Sequence, residues 1–176
     1  MGWTVDPVPQ AVLFHYSEDP SIRYFDPHVP KTNPGVEPAV WAVDALRAPL
    51  YWLPRHCPRV SVWANDVSHQ DRLERMFRTT ASRVQAVPLE WSEAIESCTL
   101  YEYQFAADGF VPNPDAEGQW VAHQRMQPTS TARVGDLLER HREAGVDLRL
   151  LRDLRSLHDA VVESGLPFSI VRWPIR

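Results

Sequence analysis

The residues best suited to chemistry begin at His15, which closes the apolar run 11–16 (AVLFHY) and is followed at once by hydroxyl and carboxylate groups in HYSED. An imidazole at the end of a strand can hold a ligand or move a proton, and it can equally hydrogen-bond the adjacent turn. Ser17 adds a hydroxyl two residues on. His15, Glu18, Asp19 and His28 are all metal-ligand types, but they lack the His-x-x-x-His or Cys-x-x-Cys spacing that makes a metal reading specific, so no metal is expected. A second cluster, PRHCPR at 54–59, sets two arginines, a histidine and a thiol between prolines. If the backbone curves there, Arg55 and Arg59 can grip a phosphate or carboxylate through paired N–H donors; as a plain turn the same side chains are solvated. Cys57 has cationic neighbours but no partner for a nucleophilic dyad. Tyr101 and Tyr103 share one strand face, where at most one phenol is expected to line a pocket while the other packs. Trp41, Trp63, Trp91 and Trp120 lie on or near strand and helix candidates and are expected mostly in the core.

The elements that must position these groups follow from periodicity and punctuation. Strands are expected at 11–16, at 39–43 (AVWAV), at 59–63 (RVSVW), at 99–105 (TLYEYQF) and at 119–126. Pro27, Pro30, Pro34 and Pro38 exclude helix and central strand from the loop 26–38, and a second long loop spans 106–118. Asp44 is placed to cap a turn over 45–51. Ser68 and Asp71, three apart, predict a capping box for an amphipathic helix to Thr79 carrying Leu73, Met76 and Phe77. A short helix is expected at 90–97. Val134, Leu137, Leu138 and His141 recur at helical intervals before Gly145; Val146, Leu148 and Leu150 alternate as a strand. Leu154, Leu157, Val161 and Val162 mark a last helix ending near Gly165, and a closing strand follows over 168–172. Leu137, Leu138, Leu154, Leu157 and Val161 are the expected core of the two C-terminal helices. Without a βαβ rhythm, the class is α+β with largely antiparallel or mixed sheets and peripheral helices.

At 176 residues and 44% apolar content the chain suits one globular domain, assigned to 11–176 after an N-terminal extension 1–10. A net charge of -5 with no basic stripe argues against DNA, and no apolar run is long enough for a membrane span. Residues 1–9 lack the basic start and apolar stretch of a secretory leader, and two cysteines are too few for a disulfide framework, so a cytoplasmic location is expected. Glycine-rich phosphate loops, the G-x-S-x-G elbow and the H-E-x-x-H helix are all absent.

The stretch LFHYSEDPSIRYFDPHVP, with VWAVD, PRHCPRV, VGDLLERHREAGVDLRLL and SGLPFSIVR, resembles a bacterial family of unknown function over most of the chain. More distantly, the histidine-bearing first strand, the VWA strand and the late strand before two helical segments resemble ADP-ribosyltransferase-like folds, including the RNA 2'-phosphotransferase branch. That resemblance implies an NAD-like nucleotide in a cleft between two small sheets. His15 would orient the nicotinamide ribose, and Trp41 or Tyr51 would stack near the nicotinamide. Gln124 stands where such transferases carry their catalytic glutamate, and Glu117 lies earlier in the chain.

Two functional expectations result. The first is a domain binding a small molecule or nucleotide, with His15 and Tyr103 as catalytic candidates and Ser17, Trp41 and Arg55 as binding candidates around a pocket where the first strand meets the proline loop. The second is a non-catalytic protein-interaction domain that presents its long proline-rich loops, with an exposed apolar patch at Phe110 or Val111.

Overall fold

The structure is a computed structural model that describes residues 12–31 and 34–173, so the proposed extension 1–10 lies outside the described residues. The class is α+β. Contacts gather the chain into two compact units, one from residues 1–48 and 100–133, the other from residues 49–99 and 134–176.

The first unit carries a six-stranded antiparallel sheet. Its strands are β1 (Val12–Ser17), β2 (Val40–Val43), β5 (Tyr101–Ala106), β6 (Val111–Pro112), β7 (Gln119–Ala122) and β8 (Ser130–Arg133), in the order β6-β7-β2-β1-β5-β8. Register places Leu13 opposite Phe105, His15 opposite Tyr103 and Ser17 opposite Tyr101, so these six share one face of the pleat. Phe25 closes that face. Its ring meets His15, Tyr103 and Phe105 edge-on at 4.8, 5.1 and 5.2 Å, and its backbone exchanges two hydrogen bonds with Met126. β7 is shorter than the strand expected at 119–126, because the chain turns away after Ala122 to bring Met126 to Phe25.

Asp44 caps the turn after β2, its Oδ1 accepting from the Arg47 amide at 2.8 Å. Gly118 packs against this turn: its carbonyl accepts from the Asp44 amide, its φ is +77°, and a Cβ there would lie 2.3 Å from Arg47 Cγ. Gly118→Ala is therefore expected to cost at least about 1–2 kcal/mol from the left-handed backbone alone, before Arg47 is displaced. Denaturant melts check this; an unchanged midpoint would show that the turn relaxes freely.

The second unit has a four-stranded sheet of β3 (Arg59–Trp63), β4 (Arg83–Pro88), β9 (Asp147–Leu151) and β10 (Phe168–Val171), in the order β10-β3-β4-β9. β10–β3 and β3–β4 are antiparallel and β4–β9 is parallel. The helices α1 (Val67–Phe77) and α4 (Arg155–Glu163) contribute Leu73, Phe77 and Val161 to a core with Val60, Val62, Val84 and Ala86. These four strand residues share one sheet face, as the register requires. Two shorter helices, α2 (Ser92–Ser97) and α3 (Leu137–Glu143), complete the set, with single 3-10 turns at Ala48–Tyr51 and Leu89–Trp91.

Several expectations need correction. The cap of α1 is Asp66, whose carboxylate accepts from the His69 amide at 2.8 Å, two residues before the proposed Ser68 box. The helix ends at Phe77, and Met76 is 44% exposed, so the buried line is Leu73 and Phe77. Among the five residues proposed for the C-terminal helical core, Leu137, Leu154 and Val161 are buried, whereas Leu138 and Leu157 are only half-buried. Strands β4, β6 and β8 were not anticipated.

Candidate functional site

The residues flagged in the first unit make hydrogen bonds within it. Ser17 Oγ accepts from the Asp19 amide at 3.1 Å, and Asp19 Oδ1 accepts from the Ser21 amide at 2.8 Å and the Ser21 hydroxyl at 2.6 Å. The Ser21 hydroxyl bond leads in holding the Asp19 carboxyl below its usual range. Tyr103 is fully buried; its hydroxyl donates to the Asp19 carbonyl and accepts from the Ile22 amide at 3.2 Å, so it pins the 19–22 turn to the sheet. Burial raises its phenol pKa. His15 is half-buried directly opposite Tyr103, and its Nδ1 donates to the Trp41 carbonyl at 2.9 Å. Trp41 is half-buried, and its indole N–H has no partner among the described residues.

Among the described residues no three of His, Cys, Asp and Glu gather at metal-binding distance, so His15, Glu18, Asp19 and His28 do not form a ligand set. Gln124 is exposed, and Glu117 pairs with Arg47 at 3.1 Å. A hollow of about 560 Å³ lies where the chain leaves β1 for the proline loop, lined by Pro20, Ser21, Tyr24, Gln127, Pro128 and Thr131 among others. Of the two apolar residues proposed as a patch, Phe110 is buried in the first unit's core and Val111 is exposed.

A denser polar constellation stands on the second unit's sheet. The face of β3 and β4 opposite the apolar core carries Arg59, Ser61, Trp63, Arg83 and Gln85, with Ser61 directly across from Gln85 and Trp63 across from Arg83. On an ordinary half-buried sheet such positions meet water. Here all five are buried: Arg59 retains 5% of its exposure, Ser61 1%, Arg83 9% and Gln85 none. Arg55, by contrast, is exposed on the turn before β3, so PRHCPR divides its two arginines between solvent and interior.

Arg59 is the least satisfied of the group. Among the described residues its Nε and Nη1 are buried without a hydrogen-bond acceptor, and the ionisable groups acting on it are Tyr51, Cys57 and Arg172, none of them a carboxylate. Its guanidinium lies 5.7 Å from the centre of the Tyr51 ring, a cation–π contact that offsets part of the desolvation. Burial pulls the Arg59 pKa down and pushes the adjacent Cys57 thiol up to about 12, so Cys57 stays protonated and is no nucleophile at neutral pH. Ser61 Oγ, Gln85 Oε1 and the Trp52 indole N–H are likewise buried without partners among the described residues.

His141, on α3, borders the same face. Its Nδ1 donates to the Leu137 carbonyl at 2.7 Å, its Nε2 lies 3.3 Å from Gln85 Nε2, and its ring meets Trp52 edge-on. Burial, more than any other cause, lowers its pKa, with Arg59 and Arg83 adding repulsion. The unfolded chain then takes up the proton first as pH falls. The contribution of neutral His141 to stability is complete above the unperturbed value of 6.5 and is lost as pH drops through and below it. Urea melts on either side of that pH should show a steeper loss for the parent than for His141→Met; equal losses would mean that His141 titrates normally in the fold.

The model of the family of unknown function DUF6886 matches residues 14–174. The chain belongs to this family. No curated protein and no solved structure matches it. The span shared with DUF6886 takes in His15 and Tyr103 as well as Arg59, Gln85 and His141. Of this second group, only Arg59 carried a sequence signal for ligand binding. The spacing of His141 marks a helix face, and Ser61 falls at the polar position of an alternating strand. Arg83 and Gln85 lie on the strand that periodicity missed.

Proposed function

We propose that this chain is a small-molecule binding domain that takes an oxyanion on the buried polar face of β3 and β4. The observation that carries the reading is Arg59, a buried guanidinium that, among the described residues, has two unpartnered N–H groups and no carboxylate acting on it. Taking an isolated charge out of water costs several kcal/mol, and a fold that keeps one without a counter-ion retains a strong attraction for an anion. A guanidinium also presents its donors in a fork that matches phosphate or carboxylate oxygens. Ser61 and Trp52 add buried polar groups that a ligand can engage.

The reading narrows the wider expectation of a small-molecule or nucleotide domain without assigning catalysis. NAD belongs in the test because of the transferase-like resemblance. Titration calorimetry and thermal shifts against inorganic phosphate, NAD, nucleoside phosphates and small carboxylates are the direct experiment. A ligand at about 100 times its Kd should stabilise the fold by about 2.7 kcal/mol. Binding that survives unchanged in Arg59→Met would place the anion elsewhere and defeat the proposal.

A further inference from the structure

The orientation of Gln85 says more about what the anion must carry. Its side-chain nitrogen donates to the Pro49 carbonyl at 3.3 Å and faces His141 Nε2 at 3.3 Å. The Nδ1–H of His141 is committed to the Leu137 carbonyl, and its Nε2 faces the Pro49 carbonyl as well as Gln85; burial, the largest influence on the ring, favours the neutral form, in which Nε2 is a lone pair that accepts. Both neighbours of that Gln85 position therefore demand a donor, and turning the amide over would set its oxygen against two acceptors. The hydrogen-bond pattern assigns this orientation. Gln85 Oε1 is left buried, on a residue with no exposure, and without a donor among the described residues.

Two opposite demands thus meet on one face. Arg59 offers N–H donors and wants anionic oxygens; Gln85 offers a carbonyl oxygen and wants a donor; Ser61, across the ladder from Gln85, can play either part. A fully deprotonated, donorless oxyanion satisfies Arg59 but leaves the Gln85 carbonyl unmet or facing another lone pair. Resting on the reading of this face as an anion site, we infer that its ligand is a phosphoryl compound bearing a hydroxyl donor next to its charged oxygens. The hydroxyl can sit on phosphorus itself, as in hydrogen phosphate, which keeps a proton at neutral pH, or on the carbon skeleton beside a phosphoryl group, as in glycerol phosphate.

The test compares four probes at neutral pH and equal ionic strength by titration calorimetry on the full chain: inorganic phosphate, glycerol phosphate, sulfate and dimethyl phosphate. The last two are similar in shape but have no hydroxyl. The inference expects inorganic phosphate or glycerol phosphate to bind at least about tenfold more tightly than either donorless probe, because a site built around a hydrogen bond rejects analogues that cannot make it. Tighter binding of inorganic phosphate assigns the hydroxyl to phosphorus; tighter binding of glycerol phosphate assigns it to the organic part. Equal binding of all four, abolished in Arg59→Met, would overturn the inference about the donor and leave the anion site standing. No binding of any probe would overturn the inference, while NAD, nucleoside phosphates and carboxylates would still decide the broader reading. Gln85→Leu supplies a second readout: the preference over sulfate should collapse towards equality while anion binding persists, and a preserved preference would show that Gln85 does not read the donor. The parent comparison stands even if that variant fails to fold.

Discussion

Arg59→Met is expected to make the ligand-free protein more stable while removing its response to oxyanions. Methionine fills much of the same volume, is apolar, and suits a site already enclosed by protein. Replacing buried charge by packed apolar side chains is often stabilising by about 1–4 kcal/mol, and loss of the contact over Tyr51 offsets some of that here. A net gain of about 1–3 kcal/mol in unfolding free energy is the expected outcome, read by urea melts without added anion. Melts repeated with a ligand that binds the parent should show stabilisation in the parent and none in the variant. This opposition between stability and binding is what a functional charge predicts. A destabilised Arg59→Met would instead identify the guanidinium as a structural member of the core.

Leu73→Ala is expected to cost about 2–5 kcal/mol, the sum of lost transfer energy and an unfilled cavity. Leu73 is fully buried on α1 and packs in the core that holds that helix to β3 and β4. Met76, one turn further and 44% exposed, is the internal control. Met76→Ala should change stability by no more than about 0.5 kcal/mol. Comparable losses at both positions would mean that the helix is rotated from the orientation described here.

The contrast between these residues explains how much of the fold was legible beforehand. Strands β3 and β5 and helices α1, α3 and α4 announce themselves because their apolar side chains repeat at the period of the element, and β1 and β2 because they are short apolar runs bounded by polar residues and prolines. Phase is harder, since Met76 and Leu157 are apolar residues at plausible spacings that fall towards the edge of the buried arc. Strand β4 was missed for a different reason. RVQAVP alternates, but its polar positions are Arg83 and Gln85, and sequence gives no sign that both are enclosed. Burial of such groups is uncommon enough that a surface segment is the better prior.

The site residues show the same division. PRHCPR held a true signal for an anion-gripping arginine, yet alternation along β3 and the turn before it sends Arg59 inward and leaves Arg55 outside. Gln85 and His141 reach Arg59's neighbourhood only through sheet pairing and the packing of α3, contacts that no local motif encodes. Tyr103, by contrast, falls on the strand face that periodicity assigned to it, and its packing with Phe25 and Phe105 follows from that face.

The interleaved course of the chain sets the order in which a ribosome can finish the two units. Residues up to 133 suffice for the first sheet, whereas β3 must wait for β10, whose Phe168 pairs with Val62 about a hundred residues behind it. At about 5–20 residues per second, that interval exposes the outer edge of β3 on the nascent chain for several seconds. Such an edge is open to pairing with other chains until it is covered. Arg59 lies at one end of that strand, and a charge beside an open edge is one of the features that discourages such pairing.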